Sequence, residues 1–308
     1  MTENVNLDIA LLLESSRAYA EGFLGDGSVS QYIPQLAAAN PEHLGVSLIA
    51  PDGSRHNAGD HAEFFTIQSI SKVISLIYAL KVLGEKEVFS KVGVEPSGDP
   101  FNCFIKLETA GEKPFNPFIN AGAITVISLL AERVAFEDIL AFTSSIFGDQ
   151  VTVNNDVYMA EMSIGKRNRS MAYLMSSKGV LGEDVDMYLE HYYRLCSVSA
   201  TASHLAHMGA VLEQGGISPA TGREIVPARI VSIAKAIMLT CGMYDGSGEF
   251  AITVGMPAKS GIGGGIVACG GGYGIGTFGP SLDAKGNSVG GIKILKHLSE
   301  HLRLSLFS

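Results

Sequence analysis

A chain of 308 residues with 46% hydrophobic and 17% charged residues is long enough to bury a large core and has no low-complexity tract, which excludes a disordered protein. The formal charge of −9 excludes nucleic acid and anionic membrane as principal partners, because such a surface repels both, and leaves a small molecule or another protein. The early apolar run Ile9 to Leu13 is short and flanked by Asp8 and Glu14, so neither an export signal nor a membrane span is expected and the chain reads as cytoplasmic.

Residues 5 to 22 carry Leu7, Leu11, Leu12 and Ala20 at helical spacing, and Gly25 to Ser30 break that helix. In Gln31 to Leu36, Tyr32 precedes a turn stiffened by Pro34; from these residues alone it is either a packing aromatic or a site residue on a rigid loop. Gly45 to Ala50 reads as a strand, Pro51-Asp52-Gly53 as a turn, and Ser54 to Ala58 as the returning strand of a hairpin. Next comes Thr66-Ile67-Gln68-Ser69-Ile70-Ser71-Lys72, where Thr66 is expected to cap a helix carrying Val73, Leu76, Ile77 and Leu80 on one side. Ser69 then falls in the first turn and Lys72 one turn later, on the same face.

From about residue 76 to 220 the pattern is helical: Ile119 to Ala131, Phe136 to Phe147, Ser170 to Ser176, Val185 to Leu195 and Ala200 to Leu212 are expected helices, followed by Val226 to Leu239. Gly242 to Gly246 is a turn-rich loop. Met256 to Lys259, Gly264 to Ala268 and Tyr273 to Phe278 then read as strands, and Gly290 to Leu302 as a closing amphipathic helix. The expected fold class is therefore α/β (α+β), an antiparallel sheet flanked by helices with an inserted all-helical subdomain. Residues 1–75 and 221–308 would form a split α/β domain, 76–220 the helical subdomain, and the site would lie at the seam where Ser69 emerges.

A serine three residues before a lysine, at a helix start, suits acyl transfer. A neutral amine can take the hydroxyl proton, and helix-start N–H groups can hold an oxyanion. The tetrapeptide does not decide the matter alone, since Ser163-Ile164-Gly165-Lys166 has the same spacing. Two other patterns are decoys. His297-Leu298-Ser299-Glu300-His301 spells H-x-x-E-H, but a third protein ligand for zinc is not found downstream. Gly263, Gly265 and Ala268 satisfy G-x-G-x-x-A, but in a strand-and-turn context rather than the required strand and helix. Cys103, Cys196, Cys241 and Cys269 are scattered, without metal or disulfide spacing, and are expected to be reduced and buried. Lys259-Ser260-Gly261 is more telling, because K-[ST]-G on a late strand accompanies S-x-x-K in penicillin-recognising enzymes. The third motif of that set, S-D-N or Y-x-N, is absent.

The chain resembles the serine-dependent glutaminases, a β-lactamase-like family that hydrolyses L-glutamine to L-glutamate and ammonia. The matching stretches are Tyr32-Ile33-Pro34, Gln68 to Lys72, Asn116-Pro117, Asn120 to Ala123, Gly242-Met243-Tyr244, Gly248-Glu249-Phe250 and Pro257 to Gly261. The resemblance implies a β-lactamase/transpeptidase-like fold, Ser69 as nucleophile and Lys72 as its partner. It also implies a glutamine pocket of Tyr32, Asn120, Glu161, Asn168, Tyr192 and Tyr244, with the backbone of Ile262 in the oxyanion hole. Glu161 and Asn168 sit in stretches that match the family loosely. No cofactor or metal is implied, and a homo-oligomer, dimer or tetramer, is. The ligand's chemistry asks for such a list: Glu161 for the α-ammonium, Asn120 and Asn168 as amide donors, tyrosines as rigid hydroxyls. The expected reaction is two-step acyl transfer with Lys72 as base and Tyr244 relaying a proton to the departing nitrogen. Lys259 would stand beside the Ser69 helix and disfavour protonation of Lys72. Another serine amidohydrolase or esterase on this scaffold, or a sensor that binds without turnover, are the alternatives.

Overall fold

A computed structural model describes residues 8–97 and 113–308. Cys103 and the first residues of the expected helix 5–22 lie outside the described residues. Helix α1 (Ile9–Glu21) starts at Asp8, whose carboxylate accepts the N–H groups of Ala10 and Leu11. The one-turn α2 (Pro34–Ala37) opens on Pro34, whose fixed φ suits a first helical position. Strands β1 (Gly45–Ile49) and β2 (Arg55–Gly59) form the expected hairpin, and β3 (Phe65–Thr66) leads to α3 (Ser71–Leu83) and α4 (Glu85–Lys91). Helices α5 (Asn120–Ala131), α6 (Phe136–Phe147), α7 (Asn155–Ile164), α8 (Lys166–Ser177) and α9 (Val185–Cys196) follow. Strand β4 (Ser199–Ala200) precedes α10 (Ala202–Glu213) and α11 (Ala228–Cys241), and the chain closes with α12 (Ser247–Thr253), β5 (Ala258–Ser260), β6 (Gly265–Gly270), β7 (Tyr273–Phe278) and α13 (Val289–Leu302).

The main sheet has the order β2-β1-β7-β6-β5 and every neighbouring pair is antiparallel. Alternation along the strands sorts their side chains onto two faces. Val46, Leu48, Ile266, Ala268 and Ile275 meet Leu12 and Leu13 of α1 and Ile294, Leu295 and Leu298 of α13. On the opposite face Ile49 packs on Ala206 and Ala210 of α10, while Val267, Cys269 and Phe278 join the core of the helices. Helix α10 lies directly on β7 because two of that strand's inward positions have no side chain. A Cβ at Gly274 would stand 2.0 Å from the Ala210 nitrogen, and one at Gly276 2.1 Å from the Ala202 oxygen.

Helix α3 is buried almost all round, with Val73, Ile74, Leu76, Ile77 and Ala79 at 0% exposure. Each large aliphatic residue among them contributes about 1.5–3 kcal/mol of transfer free energy, which roots the helix that follows Ser69. Its partners include α5 and α11. The result is an α/β fold of the β-lactamase-like type, an antiparallel sheet with helices on both faces.

Candidate active site

Ser69 is half-buried and sits in a 3-10 turn, Gln68–Ile70, just before α3. Thr66 does not cap the helix as the sequence suggested. It pairs with Ser199 across the two-residue ladder of β3 and β4, and its hydroxyl accepts from Gln68 Nε2 at 3.2 Å. The long-range pairing wins over the local cap, and α3 begins only at Ser71. Gln68 has φ 47, in the left-handed region, which costs on the order of 1–3 kcal/mol. The loop after β5 lies against this turn: a Cβ at Gly261 would stand 2.5 Å from the Ile67 oxygen, and one at Gly263 2.2 Å from the Thr66 oxygen. Two glycines thus let the Ile262 backbone approach Ser69.

Lys72 is 1% exposed and donates to Asn120 Oδ1 at 2.6 Å and to the Phe118 carbonyl at 3.1 Å. Burial pulls its ammonium down to about 8. Lys259 is fully buried, donates to the Ser260 carbonyl at 2.6 Å and stands 4.4 Å from the centroid of the Tyr244 ring. Its own pKa is held well below the ordinary value, by burial first and by the charge of Lys72 second. Desolvation is the leading cause of the depression of Lys72, and the charges of the two lysines oppose one another. Tyr244, with φ 52, turns its hydroxyl to the Ser69 side chain and the Ile262 backbone, and burial raises its pKa.

The second group of residues is gathered by the helices. Asn116 Oδ1 accepts the N–H groups of Phe118 and Ile119 at 2.9 and 3.1 Å, shaping the turn that presents Asn120 at the start of α5. Asn120 Nδ2 donates to Asn168 Oδ1 on α8 at 3.0 Å, and Tyr192 of α9 reaches Asn120 Oδ1 at 3.5 Å. Glu161 of α7 is 3% exposed. Burial pushes its carboxyl up to about 7 even though Tyr32 and Gln68 hydrogen-bond to it and pull the other way. Tyr32 is 40% exposed and sits at the rim, while Ile262 packs with Ile33, Leu36 and Val157 beneath it. All the residues singled out in the sequence, Ser69, Lys72, Tyr244, Lys259, Ile262, Tyr32, Asn120, Glu161, Asn168 and Tyr192, thus belong to one connected cluster.

Two members had not been singled out. Gln68 bridges Thr66 and Glu161; a polar residue between Ile67 and Ile70 in a buried run was the available signal. Cys196 lies 3.4 Å from Ser71 Oγ, its thiol pushed up to about 12 by burial, and nothing in the sequence pointed to it. The decoys lie elsewhere. Ser163 and Lys166 are exposed. His297 pairs with Ser16 Oγ at 2.9 Å and stacks on Tyr19. Among the described residues no three His, Cys, Asp or Glu side chains converge as metal ligands. Gly265–Gly270 is a strand and is followed by a turn and another strand.

A cluster of this kind sets a serine hydroxyl one turn before a depressed lysine and surrounds it with amide and hydroxyl donors and one carboxylate acceptor that suit a small zwitterion. Comparison with known proteins agrees with that chemistry. The family model for glutaminase matches residues 27–307. Glutaminase 2 of Clostridium perfringens is 47% identical over 302 residues, covering 96% of this chain and 98% of that one. The glutaminase of Clostridium tetani is 46% identical, covering 97% and 98%. Among solved structures, the Bacillus subtilis glutaminase in covalent complex with 5-oxo-L-norleucine, formed by reaction with 6-diazo-5-oxo-L-norleucine, superposes with a TM-score of 0.88 at 36% identity over 97% of this chain and 100% of that one.

Proposed function

This chain belongs to the glutaminase family, and from that premise we propose how its own residues hydrolyse L-glutamine to L-glutamate and ammonia. Ser69 Oγ attacks the γ-carboxamide carbon while neutral Lys72 takes the hydroxyl proton. The backbone N–H groups of Ser69 and Ile262 hold the oxyanion. Tyr244 relays the proton from Lys72 to the amide nitrogen, ammonia leaves, and a γ-glutamyl ester stays on Ser69. Water then attacks that ester with Lys72 again as base, releasing glutamate and restoring Ser69. Glu161 accepts from the α-ammonium of the substrate. Asn120, Asn168, Tyr32 and Tyr192 orient the α-carboxylate and close the pocket.

The observation that carries this reading is the burial of Lys72 one turn after Ser69. With a pKa of about 8, roughly one-tenth of Lys72 is neutral at pH 7, some three-hundredfold more than for a solvated lysine. A binding-only sensor has no use for that amine. The deciding experiment measures ammonia released from L-glutamine. We expect turnover by the native chain, none by Ser69→Ala with its fold retained, and no effect of Ser163→Ala. Near-native turnover by Ser69→Ala would refute the assignment.

The same reading takes residues 1–75 with 221–308 and residues 76–220 as units meeting at Ser69, supported by the helical core around Ile124, Ile127 and Leu189, although α10 packs on the sheet and α11 on the helical side. A homo-oligomer, dimer or tetramer, is part of it, supported by Met159, Ile164 and Tyr173, which stand exposed on α7 and α8. A cytoplasmic location is supported by the free thiols of Cys196, Cys241 and Cys269. Among the described residues no helix is long and apolar enough to cross a membrane.

A further inference from the structure

Tyr244 holds its hydroxyl toward Ser69 from a left-handed backbone. A residue with a Cβ adopts that conformation only where its surroundings impose it. Here the surroundings are a turn contributed by a much later part of the chain. In Asp283 to Asn287, the Asp283 N–H donates to the Asn287 carbonyl at 2.8 Å, and the Asp283 carboxylate accepts the N–H groups of Lys285 and Asn287, each at 2.9 Å. Lys285 ties the turn to α12 through Glu249 at 2.7 Å. The turn lies on the active site itself, since a Cβ at Gly286 would stand 3.4 Å from Ile262 Cγ2 and 3.7 Å from Tyr244 Cε2.

Asn287 is 1% exposed, and its Nδ2 donates to the Met243 carbonyl at 3.2 Å. A carbonyl can only accept, so the amide nitrogen and not the oxygen must face it. That carbonyl belongs to the planar peptide unit joining Met243 to Tyr244, so fixing it fixes the plane from which Tyr244 departs. Ser247 Oγ accepts the Met243 N–H and donates to the Tyr244 carbonyl, both at 3.0 Å. Asn287 thus holds this peptide unit while Ser247 holds the units before and after it.

We infer that Asn287 is a positioning residue for the amide hydrolysis: by holding the Met243 carbonyl it fixes the left-handed Tyr244 and keeps the phenol over Ser69. The inference rests on the role given to Tyr244 above. The plainer account, a buried asparagine that only closes its own turn, differs in what it leaves untouched. It lowers stability without acting through the phenol.

A double-mutant cycle separates the two. Native protein, Asn287→Ala, Tyr244→Phe and the double variant are compared by kcat and KM for L-glutamine and by thermal unfolding. We expect Asn287→Ala to lower kcat by on the order of tenfold or more, with KM held within about threefold, and to cause no further loss of kcat in the Tyr244→Phe background. Effects that multiply would overturn the inference while leaving the role of Tyr244 in place. Native kcat in Tyr244→Phe would remove that role and the inference with it. Asn287→Asp, which keeps the volume but loses the donor, is run in parallel and must show the same pattern. If the alanine protein does not fold, the aspartate protein decides, and a native kcat in it overturns the inference.

Discussion

Lys72 and Lys259 are both buried, and burial first and the charge of Lys72 second hold Lys259 well below its ordinary value. On the proposed mechanism the free enzyme needs Lys72 neutral and Glu161 ionised, with values near 8 and 7. The acidic limb of kcat/KM should therefore steepen toward a slope of about two below pH 7, whereas that of kcat should keep a slope of about one, because the bound ammonium holds Glu161 ionised. Lys259→Gln should leave the limb where it is. A limb displaced in that variant would show that Lys259 carries charge in the resting enzyme. The same burial sets a stability prediction. The folded pKa of Lys72 lies below its unfolded value of 10.5, so the unfolded chain binds more protons between about pH 8 and 10.5 and this term makes folding more favourable as pH rises through that window. Lys72→Met should be inactive, should lack that rise, and should be more stable at pH 7 by about 1–3 kcal/mol, less what the Asn120 and Phe118 acceptors lose. Denaturant titrations at pH 7 and 10 measure both. An inactive variant that is also less stable at pH 7 would show that the hydrogen bonds of Lys72 outweigh its desolvation.

At the scale of elements, legibility followed the amount of periodic surface. Helices such as α5, α6 and α9, and the β1–β2 hairpin, bury regular stripes and were readable to within a few residues. Helix α7 was not, because only Val157 and Glu161 of it are buried, and two positions make no stripe. Strands β3 and β4 have two residues each and exist only through one another, so Thr66 was misread as a cap. The site was legible where it is written in short motifs, at Ser69, Lys72 and Lys259. Asn287 and Cys196 were not, because their partners lie far away in the chain. The tight contact of α10 with β7 carries its own prediction. Gly276→Ala puts a Cβ 2.1 Å from the Ala202 oxygen and 2.6 Å from the Ala206 nitrogen, backbone atoms that cannot swing aside. It should destabilise by at least about 2 kcal/mol. It should also lower kcat, since α10 continues directly from β4, β4 pairs with β3, and β3 leads to Ser69. Gly248→Ala, with nothing within 4 Å of the added methyl, should stay within about 0.5 kcal/mol of the native chain. Unfolding midpoints and kcat of the two proteins decide it, and equal stability would refute the close-contact argument.

For the whole molecule, the proposed active site is a meeting of distant segments: Tyr32 and Ser69 from the first part of the chain, Asn120, Glu161 and Tyr192 from the helices, and Tyr244, Lys259 and Ile262 from the last part. The main sheet is assembled in the same way, for β1 pairs on one side with its immediate successor β2 and on the other with β7. On a ribosome that second partner emerges roughly two hundred residues later, about ten to forty seconds at ordinary elongation rates. Through that interval the hairpin shows an unpaired inner edge lined by Val46 and Leu48, the kind of template on which neighbouring nascent chains aggregate. Added chaperone is therefore expected to raise the share of chains that reach the folded state, a difference that soluble yield would measure.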